Sequence, residues 1–303
     1  MPIGIRPLND FAYKKTFGSP ENRLVLISLL NAILDLKSPI VDVTIENPYN
    51  LQDFQNDKLS ILDIKAVDQK GAIYDIEMQI SNFSGLIKRF VFYGCEVYAG
   101  QLRAGDDYSQ LKPVFSICLL NGILWSNSKR VHHAFRLSDR DSGRVLHDTL
   151  EIHTLELGWY NLRESDLASA SMLDCWLYWL LHAHEYEADA LMVLFPQEAI
   201  RKATQTITRI AEVTEDKSMY DAREKAIRDR QWALNASRME GKIEGKIEGM
   251  IEGKIEGKIE LIRTLEELLQ LPLSSEELLA KKSLEELKAI TVQLQSNLRR
   301  RQT

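Results

Sequence analysis

The chain has 303 residues, 45% of them hydrophobic and 27% charged, with a net charge of −6 and a pI near 5.6. That is enough apolar material for one domain of about 210 to 230 residues plus an appendage. No run of about 18 uncharged apolar residues predicts a membrane span, and the N-terminus lacks a basic region followed by an apolar stretch, so a cytoplasmic protein is expected. The acidic balance argues against tight DNA binding by the surface as a whole. It leaves local patches such as Lys14-Lys15, Lys88-Arg89 and Lys129-Arg130 to meet phosphates. The three cysteines, Cys95, Cys118 and Cys175, are far apart and in apolar surroundings, which predicts buried thiols rather than bridges or a zinc site. His132-His133 and the pair His182, His184 lack partners at metal-ligand spacing and are expected to be structural.

In chain order, Asn9 to Gly18 reads as a first helix, and Ser19-Pro20-Glu21 as an N-cap with proline at the first position of a second helix, Pro20 to Leu34. Two apolar-rich strands follow, Leu59 to Val67 and Ile73 to Ile80, with Gln69-Lys70-Gly71 between them. A three-residue loop with Gly71 left-handed sets Asp68 against Ala72 and Asp63 directly opposite Glu77. A two-residue loop sets Asp63 against Met78 and sends the two carboxylates to opposite faces. In the first register one face carries Asp63, Lys65, Asp75, Glu77 and Gln79, and the other carries Leu62, Ile64, Ala66, Tyr74, Ile76, Met78 and Ile80. The polar face reads in two ways: as a solvated side of a half-exposed hairpin, or as a site where Asp63 and Glu77 give magnesium the one or two carboxylates it takes beside water and phosphate. Such a site would hydrolyse a phosphodiester.

Arg89 through Gln101 reads as a helix, and Tyr108 to Pro113 leads into an apolar strand, Val114 to Leu120. This order, with Asn9-Asp10, Tyr13-Lys14, Phe17-Gly18, Asp63, Glu77-x-Gln79, Arg89, Tyr93, Gln101, Gly105, Tyr108 and Pro113-Val114, resembles the Rpn-like family of recombination-promoting nucleases and putative transposases, in the PD-(D/E)XK nuclease superfamily. The segment Leu150 to Leu157 and the repeats near the C-terminus also look like that family. The resemblance implies an α/β fold, a restriction-endonuclease-like core with a mixed sheet flanked by helices and a long helical C-terminal tail. It implies a DNA endonuclease using magnesium or another divalent metal, with Asp63 and Glu77 as metal ligands, in recombination or mobile-element and phage-related processes. Gln79 stands where the superfamily more often has lysine, and a neutral amide orients without supplying charge.

Lys65, on the same predicted face as Asp63, is the proposed substitute cation; its rival role is a cross-strand pair with Asp75. Asp10 matches a polar position of the N-terminal motif and is a candidate to reach the metal through water, or else a helix cap. Tyr93 and Gln101, eight residues apart on one helix face, are candidate DNA contacts or packing residues. A second functional class is a DNA-binding or assembly protein that keeps the fold without the chemistry.

A Trp-rich helix around Ala168 to Glu187 and another from Pro196 to Val213 should close the core. The charge-dense stretch Glu215 to Trp232 marks the expected boundary between a nuclease-like domain, 1–230, and a helical region, 231–303. From Gly241 to Glu260 the tetrapeptide Gly-Lys-Ile-Glu recurs five times, with Met250 replacing lysine once. Glycine costs about 1 kcal/mol relative to alanine in a helix, so an isolated helix here is poor. The isoleucine stripe lies between a lysine stripe and a glutamate stripe, and a parallel two-fold pair sets lysine against glutamate, which predicts a homodimer; the rival is a spacer of variable copy number. Leu261 to Arg301 is Leu-rich and helical, with Pro272 separating two short helices.

Overall fold

The structure, a computed structural model, describes residues 1–47, 63–79 and 85–302, apart from the side chains of Asp63, Gln79 and Gln302. It divides into two compact units, Met1–Lys225 and Ala226–Thr303.

The first unit is built on one mixed sheet. Its strands are β1 (Val43–Ile45), β2 (Asp63–Asp68), β3 (Ile73–Gln79), β4 (Val114–Leu120), β5 (His132–Arg136) and β6 (Leu150–Glu156). They lie in the order β1-β2-β3-β4-β6-β5. The central pairings β3–β4 and β4–β6 are parallel and the remaining ones antiparallel. β4 is buried along its whole length, which fits a sequence that is apolar except for Ser116. Helices α1 (Asp10–Phe17), α2 (Arg23–Leu34), α4 (Met172–His182), α5 (Ala188–Leu194) and α6 (Glu198–Glu212) accompany the sheet, and α3 (Leu86–Ala99) connects β3 to β4. The main core joins Ile64, Tyr74, Ile76, Phe115, Ile117 and Leu119 of the sheet to Phe11, Phe17, Leu26, Leu30, Trp176 and Trp179 of the helices. Phe17, Trp176 and Trp179 meet edge to face, with Trp176 and Trp179 centroids 5.7 Å apart. A smaller cluster of Leu86, Phe90, Cys118 and Leu120 lies on the sheet's other face, beneath α3.

Several boundaries differ from the sequence expectations. Pro20–Asn22 forms a 3-10 turn, and the α-helix proper begins at Arg23. α3 ends at Ala99, so Gln101 is not on it. β1 and β5 were not foreseen, being short or poor in apolar alternation. Cys95 is exposed, while Cys118 and Cys175 are buried as expected. The stretches Leu59 to Leu62 and Ile80 of the predicted hairpin lie outside the described residues.

Thr214–Leu268 forms one helix of 55 residues, α7, with the Gly-Lys-Ile-Glu repeats inside it. In the second unit Ile262, Leu265 and Leu269 of α7 make a core with Leu279 of α8 (Glu276–Ala280) and with Leu287 and Leu294 of α9 (Leu284–Gln302). The turn after α7 puts Gln270 at φ +52°, just before Pro272. Glu266 accepts hydrogen bonds from the Ser274 N–H and hydroxyl at 2.9 and 2.6 Å. Arg263 pairs with Glu276, and Arg301 donates to the Leu269 carbonyl at 2.7 Å. No helix among the described residues is long and apolar enough to cross a membrane.

Candidate active site

The hairpin register is the one that opposes the carboxylates. Asp63 pairs with Glu77, Ile64 with Ile76 and Lys65 with Asp75. The turn enforces it. Gly71 sits at φ +86°, where a side chain is strained. The Asp68 N–H donates to the Ala72 carbonyl at 3.0 Å, and the Gly71 N–H to the Asp68 carbonyl at 3.0 Å. Asp68 Oδ1 also accepts from the backbone of Lys70 and Ala72 at 2.8 and 2.9 Å, and Oδ2 from the Tyr74 hydroxyl at 2.9 Å. The Asp68 carboxylate and backbone thereby tie the loop to one length.

The β3 part of the polar face is covered, while Lys65 on β2 is partly open to solvent. Asp75 and Glu77 are 4% and 2% exposed, and the buried side of α3, Leu86, Phe90 and Gly94, lies over this face. Gly94 allows the close approach: a Cβ there would meet Leu150 Cδ1 at 3.0 Å and Ser116 Cβ at 3.5 Å. The register carries the polar row onward, since Asp75 aligns with Ser116 and Glu77 with Cys118, and Cys118 in turn with Thr154. The Cys118 thiol is pushed well up by burial and by the Glu77 charge, against the pull of Arg89. Arg89, whose guanidinium lies 5.2 Å from the Tyr93 ring centre, is therefore a cation near Glu77 to which the strand pattern did not point. In the sequence it stood out as half of the Lys88-Arg89 patch and as part of the family resemblance.

Lys65 has Asp75 opposite it in register, yet its Nζ reaches Glu46 Oε2 at 2.9 Å. Its N–H donates to Asn47 Oδ1 at 2.7 Å. Burial lifts Asp75 from 3.8 to about 6, with Lys65 opposing. The folded chain thus holds the Asp75 proton more tightly than the unfolded chain does. Stability from this group is full below about pH 4 and is lost as pH rises through about 6. Asp75→Asn is expected to remove that slope, which is at most about 1.4 kcal/mol per pH unit. Thermal unfolding in EDTA from about pH 4 to about pH 8 checks it, and parallel profiles for the two proteins would refute it.

The other candidates are placed as follows. Asp63 and Gln79 contribute backbone positions at the paired ends of β2 and β3, and their side chains lie outside the described residues. Asp10 begins α1, where its Oδ1 accepts from the Phe11 N–H at 2.8 Å beside the N-cap Asn9. Its Oδ2 faces Arg223 Nε at 3.7 Å. Burial raises its pKa, with Arg223 opposing. Asn9 is the N-cap of α1, accepting from the Phe11 and Ala12 N–H groups, and Asp10 in the first turn makes its contacts with α1 and α7. The Gln101 amide clamps a loop, donating to the Lys112 carbonyl at 3.0 Å and accepting from the Lys112 N–H at 2.9 Å. Tyr93 is half-buried on α3, between Arg89 and Phe92.

Among the described residues no group of three or more His, Cys, Asp or Glu side chains is set to hold a metal. Two opposed carboxylates, Asp63 and Glu77, are nevertheless the hard oxygen donors that magnesium takes in ones and twos.

No curated protein and no solved structure matches the chain. A family model described as PD-(D/E)XK nuclease family transposase matches residues 7–237, well over half of the 303. That span contains the hairpin, the covering helix α3 and the whole six-stranded sheet. By its fold and by this match, the chain belongs to the PD-(D/E)XK nuclease family of transposases.

Proposed function

We propose that the protein is a magnesium-dependent DNA endonuclease of the cytoplasm, acting in recombination or in mobile-element and phage-related processes. The observation that carries this reading is the Asp63–Glu77 register, with Glu77 sunk under α3. Asp63 and Glu77 would hold the metal. When bound, the ion acidifies a water and offsets charge on the phosphate. Burial of Glu77 excludes competing water and strengthens its field. Lys65 would supply the positive charge that Gln79 lacks, sharing it with Glu46, and Tyr93 and Arg89 would line the side of the site under α3. Supercoiled plasmid incubated with magnesium, with manganese and with EDTA tests the proposal. Nicking in metal and none in EDTA is expected, and intact plasmid under all three conditions would favour an assembly protein that kept the fold without the chemistry. The engagement of Lys65 by Glu46 is the observation on that second side.

The tail would pair two copies in parallel. Ile243, Ile247 and Ile251 are 55%, 52% and 46% exposed on α7, and a Cβ added at Gly241, Gly245, Gly249 or Gly253 meets open space. The stripe drifts about 40° per repeat, so two or three isoleucines share one straight seam. Light scattering on the full chain should give twice the monomer mass, and the Ile243→Asp, Ile247→Asp, Ile251→Asp protein should give the monomer. Equal monomeric masses would end the proposal.

A further inference from the structure

The loop from β4 to β5 sits at the same end of the sheet as the candidate active site but outside it. Gln79, at the end of β3, aligns with Leu120 of β4, and Leu120 with Glu156 of β6. Glu156 is therefore two strands from Gln79, about 10 Å at the usual spacing. From Asn121 to Arg136 the chain carries Lys129, Arg130 and Arg136 and no Asp or Glu, against a net charge of −6 for the whole.

A buried carboxylate shapes this loop. Glu156 is fully buried, and its Oε2 accepts from the backbone N–H groups of Leu124 and Trp125 at 2.6 and 3.1 Å. Its Oε1 lies 3.4 Å from His133 Nε2, which is 3.1 Å from Ser128 Oγ. The Ser128 N–H closes a turn on the Trp125 carbonyl at 3.2 Å, and Leu124 packs against the cluster of Leu86, Phe90, Cys118 and Leu120. Lys129 follows at φ +52°, a conformation uncommon outside glycine. A buried charge is costly unless hydrogen bonds offset it, and here those bonds fix the backbone of Trp125.

What the loop presents is aromatic. The Trp125 ring centre lies 4.9 Å from that of His133 and 5.4 Å from that of Phe135. His133 aligns across the sheet with Thr154, Cys118 and Glu77, so it and Phe135, two residues on, project from the face that carries Glu77. Trp125 is half-buried and Phe135 is 44% exposed, beside the outer strand of the sheet. Lys129 and Arg130 are exposed, whereas Arg136 is paired with Glu151. Rings open to solvent beside exposed cations are the two means by which proteins hold single-stranded nucleic acid: the rings stack on bases, and the cations meet phosphates. α3 stands over β4 and β6. The way from these rings to Glu77 therefore runs along the strand ends, a span of about three stacked nucleotides at roughly 3.4 Å each.

We propose that Trp125 and Phe135 stack the bases of an unpaired DNA strand, with Lys129 and Arg130 on its phosphates, so that the protein takes single-stranded DNA. As a substrate assignment this rests on the nuclease reading, with Asp63 and Glu77 a few nucleotides away. Glu156 is a positioning residue for the aromatic platform. Duplex DNA keeps its bases stacked inside and offers the rings no face, while negative supercoiling favours the opened strands that can reach them.

Fluorescence anisotropy of a labelled single-stranded oligonucleotide with the full chain, in EDTA and low salt, tests binding apart from cleavage. The single strand should bind roughly tenfold more tightly than the same sequence as duplex. A strand of equal length and charge made of abasic residues should also bind roughly tenfold more weakly, as for the loss of one stacked base. Phe135→Ala, at an exposed position, should lose roughly tenfold for the normal strand and nothing for the abasic one, while Trp125→Phe keeps most of the affinity. The proposal is overturned if no single strand binds, if duplex or abasic DNA binds as well as the normal strand, or if Phe135→Ala binds it like the unaltered protein. These arms need no metal. Base-dependent binding without plasmid nicking would remove the nuclease reading and uphold the platform, and nicking by a protein whose binding ignores Phe135→Ala would do the reverse.

Discussion

Asp63→Ala and Glu77→Gln are each expected to lower metal-dependent plasmid nicking by roughly a thousandfold, the rate equivalent of the several kcal/mol that charge stabilisation at a metal-assisted phosphodiester contributes. The two substitutions differ in what they do to the fold. Glu77 is 2% exposed, so its charge is held at a desolvation cost. Glutamine keeps the shape but removes the charge beside Arg89, so Glu77→Gln carries a stability cost as well as a loss of rate. Loss of nicking by Glu77→Gln at a temperature where its circular dichroism spectrum matches that of the unaltered protein locates the effect in the chemistry. Lys65→Ala is expected to lose about tenfold, less than the ligands, because its charge is shared with Glu46. Nicking that survives Asp63→Ala would remove the proposed site, and unchanged nicking by Lys65→Ala would remove lysine from it and leave Arg89 as the nearby cation.

The legibility of that site in the sequence follows the range of the interactions involved. The register was legible because it is local: Gly71 at φ +86° and the Asp68 carboxylate gathering the loop N–H groups are encoded within five residues, 68–72. The burial of Asp75 and Glu77 was not, because alternation along a strand tells which residues share a face and not what covers it. The cover is α3, and its fit depends on Gly94 meeting Leu150, a residue of another strand. Asp10 shows the same division. Its place in the first turn beside the N-cap Asn9 is readable, while its facing Arg223 in α7 is a long-range fact. Gln101 looked like a helix-face residue because the apolar period runs on past Ala99, but Gly100 ends the helix and the free amide turns to clamp Lys112. His132 and His153 have no spacing that suggests a pair; only the antiparallel docking of β5 on β6 brings them to 3.0 Å. The tail is the reverse case. Helix propensity argued against a continuous helix through five glycines, and α7 nevertheless runs unbroken from Thr214 to Leu268, the isoleucine stripe being the feature that a partner helix would cover.

Trp179→Ala is expected to destabilise the first unit by about 3 to 5 kcal/mol, the usual cost of deleting a large aromatic from a packed core. Trp179 is fully buried, packs edge to face on Phe17 and Trp176, and donates its indole N–H to Thr204 Oγ1 at 3.0 Å. Thr204 is itself fully buried, its hydroxyl donating to the Ile200 carbonyl at 2.9 Å, so the substitution leaves an oxygen short of a donor as well as a cavity. Phe17 closes α1 beside these rings, which makes the same cluster the anchor of the N-terminal helix that carries Asp10. The control is Trp232→Ala, at a position 75% exposed, where a change within about 0.5 kcal/mol is expected. Urea unfolding followed by circular dichroism separates the two, since a fall in midpoint at constant slope reports stability alone. Similar midpoints for both variants would mean that α1, α4 and α6 do not share one cooperative core. In that case the edge-to-face packing of Phe17, Trp176 and Trp179 would contribute to local order without holding the sheet and its helices together.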